Sequence, residues 1–210
     1  MKIQTLVLGQ FETNCYVLTS DESAKDCVII DTGLDADPLI DLLKSGQLNP
    51  EALILTHAHV DHIAGINALR QNWPEIRIAV HRDDAEMLID PVANLSTLIG
   101  VFVKTEPADI IIDDGQTLDF AGISFDVMHT PGHTPGGISL YNKEDGIVFA
   151  GDVLFADSIG RTDFPGGSFD TLVASIKNKL LTLAAETIVY SGHGPTTTIE
   201  HESKFNQFLA

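Results

Sequence analysis

The sequence predicts an α/β domain made of two packed sheets with helices on their outer faces. Three features point there. Short β-branched segments alternate with stretches of helical spacing, this strand-then-helix run occurs twice in succession, and no Gly/Ser linker or block of charge divides the 210 residues. A single domain spanning 1–210 is therefore expected. Hydrophobic residues make up 44% of the chain, enough to bury a sizeable core.

The first half opens with three strands, "KIQTLVLG", "NCYVLT" and "CVIIDTG", separated by turn formers. "DADPLIDLLKSG" reads as a short helix stopped at Gly46. A buried strand "ALILT" leads into a histidine cluster, and "HIAGINALRQNW" has helical spacing. "IRIAV" is a strand ending at His81, and "DDAEMLIDPVANLSTLIG" reads as helical with a break at Pro91. The second half starts over with "DIIID", "TLDF", "ISFDVMHT", "GISLYN" and "GIVFAGD" as closely spaced strands. "SFDTLVASIKNKLLTL" is an amphipathic helix capped by Ser168, "TIVYSGHG" is a last strand, and "TTIEHESKFNQFLA" closes as a helix with Thr197 and Glu200 spaced as a capping box.

Composition excludes partners better than it identifies them. Twelve basic residues against 30 acidic ones give a formal charge of −18. Such a chain has little from which to build a phosphate-binding face, so no nucleic-acid partner is expected, and an anionic membrane would repel it. No window approaches eighteen unbroken apolar residues and the start shows no signal peptide, so the cytoplasm is the expected location. Cys15 and Cys27 each lie in an apolar run, where a reduced thiol serves as a small hydrophobe. The oligomeric state is not legible.

The chemistry is concentrated in "THAHVDH", which packs His57, His59, Asp61 and His62 directly behind an apolar strand. Three further polar residues sit beside glycines at strand ends: His133 in "TPGHTPGG", Asp152 in "FAGD" and His193 in "SGHG". Loops at strand ends are where a rigid scaffold presents functional groups. His57 and His59 are two apart and point to one side of an extended segment, while Asp61 and His62 follow as the chain turns into a helix. A first metal can take His57, His59 and His133, and a second Asp61, His62 and His193. Asp152 is left to bridge them. Three protein ligands with an open position is the arrangement of catalytic rather than structural zinc. Imidazole with carboxylate also suits iron, manganese, cobalt or nickel. Asp61 and Asp152 are the candidate catalytic residues as well as ligands. Asp31, at the strand end "IIDTG", is a candidate to support a ligand from behind. His129 reads as a hydrogen-bonded structural histidine, and His81 and His201 as surface residues.

"THAHVDH" matches the T-H-x-H-x-D-H signature of the metallo-β-lactamase fold superfamily, and His133, Asp152 and His193 stand where that family has its later ligands. The resemblance runs from "TNCYVL" through "IIDTG" to "SGHGP" and implies a four-layer αβ/βα sandwich: two mixed sheets flanked by helices, with two divalent metal ions, zinc first among them, bridged by Asp152. Within the superfamily, "ETNCYVL", "TPGHTPGGISLY", "GDVLFADSIGRTDFPGG" and "SGHGPTTT" resemble the shorter bacterial branch of the glyoxalase II-type thioesterases. That resemblance implies hydrolysis of S-2-hydroxyacylglutathione, typically S-D-lactoylglutathione, to the hydroxy acid and glutathione. Arg161 stands where longer members carry a basic residue that contacts glutathione, and is the expected substrate-binding residue. Those members have a Tyr two positions on, where this chain has Asp163. They also carry a C-terminal helical domain that completes the glutathione site, which is not expected here, since only residues 194–210 follow His193.

The expected chemistry suits a small-molecule thioester. Hydroxide generated near neutral pH attacks the carbonyl, and the departing thiolate, from a thiol of pKa about 8.5, needs little protonation. An amide would need an acid that the sequence does not show. The main rival is a persulfide dioxygenase, which the chain resembles at "GRTDF" and which would hold a single iron by His57, His133 and Asp152. Many such enzymes have a Cys where this chain has Gly137, and lack the "TNCY" form of the early strand, so the hydrolase is favoured. A metal-binding protein without catalysis fits less well, because all seven ligands and an open position are present.

Overall fold

The computed structural model describes residues 1–209. The first sheet holds β1 (Lys2–Leu8), β2 (Thr13–Thr19), β3 (Asp26–Ile30), β4 (Asn49–Ile54), β5 (Arg77–His81) and β6 (Ile110–Ile112), in that spatial order. The pairings β1–β2 and β2–β3 are antiparallel, and β3 to β6 run parallel. The second sheet is built from β7 (Thr117–Phe120), β8 (Ile123–His129), β9 (Ile138–Asn142), β10 (Ile147–Gly151), β13 (Ile188–Ser191) and β14 (Thr197–Thr198), in the order β14-β13-β10-β9-β8-β7. Only β10–β13 is parallel there. A two-stranded hairpin, β11 (Leu154–Phe155) and β12 (Ser158–Ile159), stands apart from both.

Alternation along the strands explains the layers. In β3, Val28 and Ile30 pack between the sheets against Phe125 and Phe149, while Cys27 and Ile29 face the other way, toward Leu39, Leu43 and Ile66 of the first helical layer. In β10, Phe149 faces inward, and Val148 and Ala150 meet Leu172 and Ile176 on the opposite side. A strand buried on both faces must be apolar throughout, as these are. The result is the expected four-layer αβ/βα sandwich. The outer layers carry α1 (Asp37–Gly46), α2 (Val60–Ile63) and α3 (Ile66–Asn72) on one side, and α4 (Phe169–Asn178) and α5 (Ile199–Phe205) on the other. Both cysteines are buried free thiols. Among the described residues, no helix is long and apolar enough to cross a membrane.

Several boundaries differ from the sequence reading. The strand at 110–112 joins the first sheet beside β5 rather than opening the second. The stop of α1 falls at Gln47, which adopts the left-handed conformation at φ 52°, one residue after Gly46. The helix expected from His62 is two pieces hinged at Gly65, where a side chain would come within 2.9 Å of Thr32 Cβ. Residues 82–99 form two 3₁₀ turns, Arg82–Leu88 and Ser96–Ile99, instead of a broken α-helix. Side chains intercept the backbone there: Asn94 donates to the carbonyls of Met87 and Val103, and Ser96 to that of Pro91. Ser168 caps α4 as expected, but the α-helix ends at Asn178 and a 3₁₀ turn follows. The cap of α5 is Thr198, which accepts from the His201 amide, while Thr197 donates to Glu202. The capping box at Thr197 and Glu200 is therefore not formed.

Candidate metal centre

The seven predicted ligands come together in the loops and the short helix that follow β4, β8, β10 and β13. Beyond β4 the chain stays extended through His59 (φ −69°, ψ 151°), which starts α2 and so turns Asp61 and His62 toward a second point. His57, His59 and His133 form one group, with His59 Nδ1 2.9 Å from His133 Nε2. Asp61, His62 and His193 form the other: His193 Nε2 lies 3.3 Å from Asp61 Oδ2 and 3.4 Å from His62 Nε2. Asp152 stands between them. Its Oδ1 is 3.4 Å from His62 Nε2, and its Oδ2 lies 3.6 Å from His133 Nε2 and 3.4 Å from His193 Nε2.

Oxygen acceptors behind the rings orient four of the five histidines. The Nδ1 of His62 is 2.9 Å from Asp31 Oδ2, that of His133 is 2.7 Å from the Arg161 carbonyl, that of His193 is 2.9 Å from the Phe11 carbonyl, and that of His57 is 3.2 Å from Thr56 Oγ1. With the proton on Nδ1, each Nε2 lone pair faces the centre, which is how metal-binding histidines are held. Asp31 thus stands directly behind His62, one of the expected ligands. It is buried, sits at φ 55°, and also accepts from the Thr56 amide (2.8 Å) and hydroxyl (2.6 Å).

The donor set fits a divalent cation on an independent count. Among the described residues, the buried His57 Nε2 and Asp152 Oδ1 have no hydrogen-bond partner. A buried polar atom without a partner is costly, and a cation would supply the missing one. Space is reserved for the Asp152 carboxylate as well: a side chain on Gly192 would come within 2.1 Å of its Oδ1.

The two groups carry charge differently. Burial, reinforced by the neighbouring imidazoles, pushes His57 well below the ordinary histidine range; burial and His133 take His59 down to about 3. At His62 burial acts in the same direction, but Asp61, Asp152 and Asp31 outweigh it and raise the imidazole to about 9. His193 likewise overcomes burial through hydrogen bonds with Asp152 and Asp61 and rises to about 11. Burial opposes ionisation of Asp61 and Asp152, yet His62 and His193 leave both carboxyls below their usual range, so both are ionised at neutral pH.

Two supports escape a reading of the sequence. Asp84, fully buried, accepts from the amides of Ala58 (3.1 Å) and Gly136 (2.6 Å) and from the Thr134 hydroxyl (2.8 Å), so it stitches the His57–His59 loop to the His133 loop. Asn14 donates to the carbonyls of Ser191 and Gly194 and fixes the His193 loop. "TNCY" was a legible stretch, whereas Asp84 lies in a run of charged residues with no distinguishing pattern.

The other flagged residues lie elsewhere. His81 is buried, contrary to the surface role expected, because its ring stacks on His129 at 4.1 Å between centroids. His129 donates from Nε2 to the Pro135 carbonyl at 2.8 Å. His201 is partly exposed and pairs with Asp157 at 2.7 Å. Arg161 lines the open cavity of about 700 Å³ above the ligands, whose walls are mainly apolar, including Phe11, Leu98, Phe155, Ile159 and Phe164. Its guanidinium is engaged by Asp163 through two contacts of 2.7 Å.

Residues 8–193 match the model of the metallo-beta-lactamase superfamily. A relative from Bacillus subtilis (strain 168), named probable metallo-hydrolase YqgX, is 39% identical over 210 residues, covering 100% of this chain and 98% of the relative. The hydroxyacylglutathione hydrolase GloC of Haemophilus influenzae is 36% identical over 211 residues, with 100% and 98% covered. Among solved structures, BLEG-1 B3 metallo-beta-lactamase superposes with a TM-score of 0.94 at 45% identity over 100% of both chains. TTHA1623 in a di-iron-bound form gives a TM-score of 0.86 at 35% identity, over 98% of this chain and 100% of that one.

Proposed function

The chain belongs to the metallo-beta-lactamase superfamily, and we propose that it is a metal-dependent thioester hydrolase whose substrates include glutathione thioesters such as S-D-lactoylglutathione. In this reading residues 1–210 act as one domain, and His57, His59, His133, Asp61, His62, His193 and the bridging Asp152 are the metal ligands. Two divalent cations, zinc by preference and iron or manganese as alternatives, would supply a water ionised near neutral pH and a Lewis acid for the carbonyl.

One observation favours a thioester over an amide. Apart from the ligands, the cavity is lined by apolar side chains, Ser158 and Arg161, and neither of these two can readily protonate a departing amine. A thiolate leaves without such help. The ionised Asp61 and Asp152 offer acceptors for the protons of a water at the cavity floor, and Phe11, Phe155 and Phe164 line the cavity above it. The relative named hydroxyacylglutathione hydrolase supports the same substrate class.

The test is thiol release from S-D-lactoylglutathione by metal-replete protein, run beside oxygen uptake on glutathione persulfide and opening of a β-lactam. Thiol release that outpaces the other two is expected. Oxygen uptake without thiol release would move the reading to a single-iron dioxygenase, and faster β-lactam opening to a lactamase.

A further inference from the structure

Apart from the histidines of the two groups, the one basic side chain in the cavity lining among the described residues is Arg161, and it is already engaged. Its Nε and Nη2 each contact a carboxylate oxygen of Asp163 at 2.7 Å, and its guanidinium lies 3.8 Å over the Phe164 ring. Two parallel contacts hold both groups in register. The pairing keeps Asp163 ionised, its carboxyl lowered to about 2. The positive charge that would receive a carboxylate of a substrate is therefore cancelled at the cavity mouth. A glutathione thioester brings two carboxylates, and a chain with a formal charge of −18 repels them further.

The walls point the other way. Leu98 lines the cavity with 67% of its surface exposed, and Phe11 lines it with 42% exposed. Leu95, Ile99, Phe155 and Ile159 continue the apolar surface. Large apolar side chains left open around a reaction site gain by covering, and the ligand that covers them is apolar.

We propose that the preferred substrate is a thioester with an apolar acyl chain on an uncharged thiol, and that Asp163, by occupying Arg161, sets this preference against glutathione thioesters. The proposal rests on the thioesterase reading and narrows it. The reaction is unchanged in its balance. The water oxygen bonds to the acyl carbon, the carbon–sulfur bond breaks, the sulfur leaves with the electron pair and takes up one of the water's protons, the other proton goes to solvent, and the acyl group departs as a carboxylate.

Two matched series test it on the metal-replete protein: acetyl, butyryl, hexanoyl and octanoyl thioesters of N-acetylcysteamine, and the same acyl groups on glutathione. The expected result is a rise in kcat/KM of about fourfold for each methylene until the wall is covered, with the N-acetylcysteamine ester ahead at each length. Asp163→Asn, at a solvent-exposed position, is expected to shift the ratio of glutathione to N-acetylcysteamine ester by about threefold or more toward glutathione. Calorimetric titration with the corresponding S-alkyl thioethers, which cannot be hydrolysed, reads the same preference without turnover. A flat acyl series, or a glutathione preference that Asp163→Asn does not move, would overturn the assignment. An intact thioether preference in a protein that cleaves no thioester would uphold the pocket assignment and sink the thioesterase reading alone.

Discussion

The two candidate ligand groups share a wall and the carboxylate of Asp152 that contacts both, yet they hold charge in opposite ways. The group of His57, His59 and His133 contains imidazoles alone, packed so that burial and mutual repulsion keep His57 and His59 neutral. The group of Asp61, His62 and His193 has carboxylates on several sides, and Asp31 behind it, so that His62 and His193 hold protons at neutral pH. A metal ligand must be deprotonated. In the first group His57 and His59 are therefore ready for a cation as they stand, and the second group must give up protons to take one. The difference teaches that the residue types alone do not set the charge a group holds; the surrounding carboxylates do.

The largest break in this comparison comes from the residue that belongs to both groups. Asp152→Ala removes the carboxylate that faces His62, His133 and His193. The expected outcome is loss of bound metal at both groups and a fall in kcat/KM beyond about 100-fold, the upper range for losing a mere supporting group. Metal analysis of the purified variant beside its turnover checks this. Full activity with less metal would remove Asp152 from its bridging role.

Asp31 separates the groups more finely, since it touches His62 but no residue of the three-histidine group except through Thr56. Because the pKa of His62 is raised to about 9 and that of His193 to about 11, both are protonated at pH 7 in the metal-free protein. Cation affinity at that group should thus climb with pH across 6 to 8, by about tenfold per unit for each proton expelled. Affinity at the three-histidine group, where His57 and His59 are lowered, should stay nearly flat over the same range. Asp31→Asn takes away one carboxylate that raises His62 and the acceptor that aims it. Affinity at the second group should drop by about 10–100-fold, and fewer protons should be released there. Cation titration by calorimetry in buffers of different ionisation enthalpy reports both quantities. Equal pH slopes at the two groups would dissolve the comparison.

The legible part of this site was its side chains, and the illegible part was mostly backbone and distance. All seven candidate ligands could be picked out because they follow apolar strands close to glycines or turns, and the layers followed from a strand-then-helix run that occurs twice. The acceptors behind His133 and His193 are carbonyls of Arg161 and Phe11, which carry no signature in a sequence. His81 looked like a strand-end surface residue until His129, 48 positions away along the chain, stacked on it. The turns at 82–99 misread as helix because Asn94 and Ser96 satisfy carbonyls that a helix would otherwise bond. The 110–112 strand could be read as a strand, but its choice of sheet depends on parallel pairing with β5.

Asp84 offers the mildest and most selective probe of the three-histidine group. It lies across from Asp31 in function: one orders a ring through a direct contact, the other orders two loops through their amides. Burial pushes its carboxyl up, against the pull of the Thr134 hydroxyl and the Gly136 and Ala58 amides, so the site spends its charge on those donors rather than on a ligand. Asp84→Asn keeps the shape but trades one acceptor oxygen for a donor that faces other donors. The expected cost is about 2 kcal/mol of stability, the range for hydrogen bonds to a charged group. Loosening the 57–59 and 133 loops together should weaken cation binding at the three-histidine group by several-fold, roughly the lower end for losing a supporting contact, and leave the Asp61 group within error. Thermal unfolding of the metal-free variant reads the first effect, and the two-site titration reads the second. A loss of affinity shared equally by both groups would mean that the loops move as one body, and that the division of the centre into two independently held halves is wrong.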